Sequence, residues 1–308
     1  MTRKTIILLL FSLFSLGGIL AQNVRTNQLT LDQNKVENSC FTKSKYYFKS
    51  FNRIGDKPLP SLETAIEKAL VTVKEADEKS RYWMYQDWVY SVKDEADADY
   101  TITAEYDYNS GIIIGETVYK EKQGNIRLPY FVTAKEHRAD LDIYFTFNYK
   151  DGTPSRKDTI SVHKKSVEKP GASYYSVEKL EKQLEGMMKA KVAHYKEFIN
   201  SSEIQINFPK VKIKDKALKT EYASINSLLK EGEYEKAGSI VKKAYEANPT
   251  PELSQALGIC YEIVGNYPKA AKYYEALPNF HIKVRMKKNM AVLDFAKSLG
   301  FTPEYIEF

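Results

Sequence analysis

The chain has 308 residues, 43% of them hydrophobic and 28% charged, with a formal charge of +6. These proportions exclude a disordered or fibrous chain and leave room for two domains with cores of their own. The excess of Lys and Arg is too small and too dispersed for nucleic acid, which needs a concentrated basic stripe, and two Cys make no disulfide framework.

Residues 1–21 read as a secretory signal. Arg3 and Lys4 give the positive start, Ile6 to Leu16 the apolar run, and Gly17 to Ala21 a small-residue exit. Cleavage is expected after Ala21, and no stop-transfer segment follows, so no stable membrane span is expected in the mature chain. No Cys stands near the junction to carry a lipid anchor. The mature chain keeps all 40 Asp and Glu and loses only two of its 46 Lys and Arg. These features predict a periplasmic or secreted protein, in which Cys40 and Cys260 could pair only if the fold brings them together.

Residues 22–44 are polar and weakly periodic, and read as a leader of weak order. Tyr46 to Phe51 is a first strand. Pro58 and Pro60 break the chain, Ser61 caps a helix, and Leu62, Ile66, Leu70 and Val73 give it an apolar stripe to about Lys79. Tyr82 to Tyr90 gathers both Trp residues. Tyr100, Ile102, Ala104, Tyr106 and Tyr108 then alternate with polar residues as a half-buried strand. A turn is expected at Asn109-Ser110-Gly111 and a hairpin partner over Ile112 to Lys120, followed by a turn at Gly124-Asn125 and a strand from Leu128 to Thr133. Ala139 to Tyr149 alternates again, and Asp151-Gly152 returns it through Thr159 to His163. Ser176 opens a helix with Val177, Leu180, Leu184, Met187, Met188, Val192, Tyr195 and Ile199 on one stripe. Ile204, Ile206 and Phe208 suggest a closing strand. This order predicts an α+β domain over residues 45–213, a mostly antiparallel sheet with helices packed on one face.

Beyond it, Gly232-Glu233-Tyr234-Glu235-Lys236-Ala237 returns thirty-three residues later as Gly265-Asn266-Tyr267-Pro268-Lys269-Ala270. Leu257-Gly258 and Tyr261 precede the second copy, while the first has Ser224-Ile225 or Ile225-Asn226 in place of Leu-Gly. These residues resemble the tetratricopeptide repeat (TPR), two antiparallel helices per repeat with a period near 34. The resemblance implies an all-α protein-binding module over residues 217–300, with Ile282 to Leu299 as a capping helix and Gly300 as its stop. In such modules the first helix of each hairpin lines the concave face, which places Tyr222, Asn226, Gln255 and Ile259 there as candidate protein-binding residues. The carboxylate-clamp pattern of some relatives is not reproduced, since Tyr222 and Ala256 stand where a Lys and an Asn would be. Two repeats are few for a free array, so the Ser176–Asn200 helix is expected to cover the open end. The helix and Ala98-Asp99-Tyr100 strand entry are also similar to the periplasmic domains of curli-assembly and penicillin-binding-protein-activator lipoproteins.

Catalytic patterns fail in turn. Ser166-Val167-Glu168-Lys169 and Ser176-Val177-Glu178-Lys179 match a Ser-x-x-Lys nucleophile but lack its companions, and Ser176 is better placed as a helix cap. None of His137, His163, His194 or His281 has a second His, Cys or carboxylate at the i+4 spacing of a His-Glu-x-x-His site, and His137 and His163 read as sheet surface. The acidic run Asp94 to Asp99 lacks the Gly and alternation of a calcium loop. No enzyme activity, cofactor or metal is therefore expected. The expected function is an exported protein-binding scaffold, an accessory factor of envelope assembly. The alternative is a glycan-binding or glycan-processing protein that stacks sugar on Trp83 and Trp88, against the simpler reading of those rings as core.

Overall fold

The computed structural model describes residues 23–71, 82–169 and 173–308. The signal segment and Pro170-Gly171 lie outside them. The fold is α+β. Its main sheet takes the order β3 (Tyr90–Ser91), β2 (Lys45–Arg53), β4 (Tyr100–Gln123), β5 (Ile126–Tyr149), β6 (Arg156–Glu168). β4, β5 and β6 run antiparallel, while β2 lies parallel to both β3 and β4. Asp99 sets the start of β4 against β2, its carboxylate accepting from the Lys45 amide at 2.9 Å and the Ser44 hydroxyl at 3.2 Å.

The alternation in β4 and β5 sends Tyr100, Ile102, Ala104, Tyr106, Leu141, Ile143, Phe145 and Phe147 to one buried face. Two helices cover it. α2 (Pro60–Leu70) buries Leu62, Ile66 and Leu70, and α3 (Val177–Tyr195) buries Leu180, Leu184, Met188 and Val192. Ser61 does not cap α2; it lies in the first turn and its hydroxyl donates to Glu185 on α3. The helix ends at Leu70, and its expected course to Lys79 runs into undescribed residues. Ser176 holds the N-cap position of α3 but its hydroxyl makes no cap bond to a first-turn amide; it is bonded to the Glu178 carboxylate instead.

Three expectations are corrected. Residues 23–44 are built into the fold: β1 (Asn23–Leu31) is followed by the short helix α1 (Gln33–Asn38), and Cys40 and Phe41 are buried. The closing strand β7 (Ile199–Asn207) does not join the main sheet but pairs antiparallel with β1 over nine residues. Asn109-Ser110-Gly111 is not a turn. β4 runs straight through it, and β5 answers it residue for residue from Tyr100↔Tyr149 to Gln123↔Ile126, turning only at Gly124-Asn125. Twenty-four consecutive pairs outweigh one locally favourable turn sequence.

β2 follows β4 only to Tyr106, and β6 follows β5 only from Lys135. The distal part of the hairpin is therefore a two-stranded arm with both edges unpaired. From Ile126 to Lys135 it reaches about 30 Å past the sheet. Ile114, Ile126 and Phe131 on it are 70%, 65% and 79% exposed.

The helical part follows as α4 (Lys216–Ala223), α5 (Ile225–Glu231), α6 (Tyr234–Ala247), α7 (Pro251–Ile263), α8 (Tyr267–Tyr274) and α9 (Phe280–Ser298). The expected first helix is split at Ser224, and α8 is as short as the early Pro278 predicts. α9 packs against β1, and Phe198 meets Phe295 edge-on at 5.6 Å. The segment ahead of β3 packs there too. The cover expected from α3 thus comes from β1, residues near β7 and the 82–90 loop, while α3 stays on the sheet. Buried apolar residues of the sheet and helical parts form one continuous core.

Candidate protein-binding site

The two repeated motifs take the same local geometry. Gly232 and Gly265 both turn left-handed, at φ of 80° and 77°, a conformation that glycine adopts without steric cost. After each comes a helix that buries its Ala at the same place, Ala237 on α6 and Ala270 on α8. Gly258 on α7 lies directly against the Tyr274 ring, where a Cβ would come within 2.5 Å, so the Leu257-Gly258 pair serves close helix approach.

The second turn is also where the sheet part docks. The Trp83 indole donates to the Gly265 carbonyl at 2.8 Å and meets the Tyr267 ring edge-on at 5.5 Å. Trp88 stacks on Trp83 at 5.5 Å, and Phe301 closes the cluster. Trp83 is 1% exposed and Trp88 7%, so neither ring offers a face to a sugar. The aromatic cluster is core.

Glu262, in the middle of this helical body, is the buried charge. Arg285 of α9 grips it twice, Nε to Oε1 at 2.6 Å and Nη2 to Oε2 at 2.9 Å. Asn289 and the Tyr274 hydroxyl donate to the same carboxylate at 3.1 and 2.9 Å. Such full pairing is what a buried carboxylate requires. It ties α7, α8 and α9 together and keeps the carboxylate occupied.

Of the four residues expected on a concave face, Tyr222 and Ile259 are buried at 3% and 0%, and therefore pack rather than line an open groove. Asn226 and Gln255 are half-buried and remain accessible. For Ile259 the cause is that α7 is enclosed by its neighbours: Ala256 to Tyr267 is buried without interruption. Burial pushes the Cys260 thiol up to about 12 and raises the Cys40 thiol as well. Both thiols are free.

A groove the sequence did not announce is occupied by the chain itself. After α9 and Gly300, residues 301–308 run without helix or strand across α6, the end of α7 and the start of α8. Asn266, 2% exposed, donates through Nδ2 to the Ile306 carbonyl at 3.0 Å and to Glu307 Oε1 at 3.2 Å. Lys269 pairs with the Glu307 carboxylate, and Lys242 donates to the Phe308 carbonyl. The Phe308 ring lies 4.6 Å from that of Tyr261 and fills the space over Gly238, where a Cβ would sit 2.5 Å from its carbons.

Elsewhere, a cavity of about 520 Å³ lies between α1, α3 and β6, lined among others by Lys35, Lys191, His194 and Ile160. Its charged groups engage one another or the backbone: Lys35 Nζ is 2.5 Å from His194 Nε2, His194 Nδ1 is 3.1 Å from Glu197, and Lys191 holds the Ser161 carbonyl at 2.9 Å. His137, expected on the sheet surface, is 5% exposed and packs its ring on Tyr174 at 5.0 Å. Among the described residues no group of three or more His, Cys, Asp or Glu is placed to hold a metal, and no helix is long and apolar enough to cross a membrane. No protein-family model matches the chain, and no curated protein is significantly similar to it.

Proposed function

We propose that this chain is an exported, non-enzymatic protein-binding scaffold whose helical part, residues 217–300, is a TPR-like module. The observation that carries the reading is the equivalence of the two turns: left-handed Gly232 and Gly265, each followed by a helix burying its Ala at the same place. Stacked hairpins of this kind present an extended surface for a partner chain. The solvent-open apolar arm of β4 and β5 adds a second surface of the type that interaction sites carry. An accessory role in envelope assembly agrees with the α+β part and with the signal read at residues 1–21.

Removing the module would be a poor test, because Trp83 and β1 pack on it and would be stripped of their cover. A photo-crosslinking side chain at Asn226 or Gln255 in the full chain leaves the core intact. The reading expects a discrete adduct in envelope extract from these positions and none from Glu105 on the solvated sheet face. Folded, exported protein that yields no adduct from Asn226 or Gln255 would refute it.

A further inference from the structure

We propose that the groove now filled by Ile306, Glu307 and Phe308 is a binding site for an extended segment of a partner protein carrying an aliphatic–acidic–aromatic triplet, and that the chain's own triplet is its displaceable resident. The proposal rests on the protein-binding reading above and gives that reading a location and a ligand chemistry.

The groove is built for an extended backbone. Asn266 is buried, its Oδ1 accepts from the Lys269 amide at 3.3 Å, and its Nδ2 is committed to the Ile306 carbonyl and Glu307. With no segment in place that amide would be left without these partners, a costly state for a buried donor. Each other contact also reads a general feature. Lys269 reads a carboxylate, Lys242 reads a main-chain oxygen, and Gly238 with Tyr261 leaves a slot for one aromatic ring. Backbone hydrogen bonds with alternate side chains in pockets are how extended segments are recognised. Positive groups at Lys242 and Lys269 favour an acidic segment.

The resident is held lightly. Residues 301–308 join no strand ladder, Ile306 and Phe308 are only half-buried, and the Lys269–Glu307 pair is 40% and 53% exposed on its two sides. An incoming triplet can reproduce each contact one for one. The resident therefore sets a threshold that a partner must exceed.

The test uses a fluorescent peptide with the sequence of Pro303–Phe308 as probe, read by anisotropy against full-length protein. Ile306→Ser with Phe308→Ser weakens the resident without touching the groove, and should bind the probe at least tenfold tighter than the unsubstituted chain. Adding Lys269→Glu should weaken that binding at least fivefold, and a probe with lysine at the position of Glu307, its other glutamate kept, should restore it. Equal affinity of the substituted and unsubstituted chains, or no rescue by the charge-swapped probe, overturns the proposal. Loss of cooperative melting in the doubly substituted chain also overturns it, because the segment is then a brace. An unsubstituted chain that is dimeric, becoming monomeric on the same substitutions, replaces the partner with a second copy. Crosslinks from Asn226 and Gln255, scored on the same proteins, separate the two readings: their persistence with a failed probe removes the groove alone.

Discussion

The indole of Trp83 donates to the carbonyl of Gly265 across 182 residues of sequence, and a Cβ on Gly265 would lie 2.6 Å from that same indole nitrogen. One glycine therefore serves a left-handed turn and admits the ring that joins the sheet to the helices. Gly232 makes the same turn with nothing within 4 Å of a built Cβ.

The pair gives an internally controlled comparison. Gly232→Ala should cost only the left-handed backbone penalty, about 1–2 kcal/mol. Gly265→Ala should cost that and also displace Trp83, adding about 1–3 kcal/mol for a buried hydrogen bond left open. Urea unfolding of both variants measures the difference; equal losses would show that the Trp83 contact contributes nothing.

The burial of Tyr222 and Ile259 reverses what an open concave face would predict for them. Ile259→Ala removes a fully buried side chain on an enclosed helix and should cost about 2–5 kcal/mol. Tyr222→Ala should fall in the range of buried aromatic truncations, about 3–5 kcal/mol. The double variant is expected to melt well below the parent. A melt within a degree or two of the parent would return both residues to a binding surface.

Much of this architecture can be read from the residues, and the exceptions have physical causes. Tyr100 to Tyr108 and Ala139 to Tyr149 alternate because one face meets α2 and α3 and the other meets water. The alternation in β4 fades beyond Ser110, where Ile112, Ile113 and Ile114 follow one another and all are exposed, and without it Asn109-Ser110-Gly111 looks like a turn. β1 escapes notice for a different reason. Its apolar residues are few (Val24, Leu29 and Leu31 between polar ones), and its partner β7 begins at Ile199, far along the chain. The repeat was legible from Gly, Tyr and Ala at fixed spacing, whereas the groove was not. It is made by Gly238, Tyr261, Asn266 and Lys269 meeting a segment that follows α9, and no local pattern links them.

Alkaline stability should follow the tyrosines. Burial holds the phenols of Tyr46, Tyr100, Tyr267 and Tyr274 above their ordinary value. With folded pKa values raised above an unfolded value of about 10, their contribution is complete below that pH and is lost as pH rises through and beyond it. Lys196 acts in the opposite direction, since burial lowers its ammonium to about 8 and the unfolded chain then binds the extra proton between about 8 and 10.4. Four phenols outweigh one amine. The melting temperature should change little from pH 7 to 9 and fall steeply above about 10. Tyrosinate absorbance should rise in two stages, with the buried set appearing only on unfolding; a single stage completed before unfolding would contradict this.

The arm of β4 and β5 should contribute to association and very little to stability. Ile114 and Phe131 point to the same face of the ribbon, Ile114 opposite Lys135 and Phe131 opposite Val118, and both are mostly exposed. An isolated two-stranded ribbon is marginal in water, and apolar side chains on a ribbon with free edges favour contact with another surface. Ile114→Thr with Phe131→Thr removes apolar area without opening a cavity, and surface changes of this kind usually lie within about 0.5 kcal/mol each. Urea unfolding should therefore be nearly unchanged. Concentration-dependent light scattering should fall, and any adduct that a crosslinker at Val118, on the same face, forms should be lost. A stability loss above about 2 kcal/mol would mean that the arm folds back onto the body of the protein, where burial alone produces losses of that size.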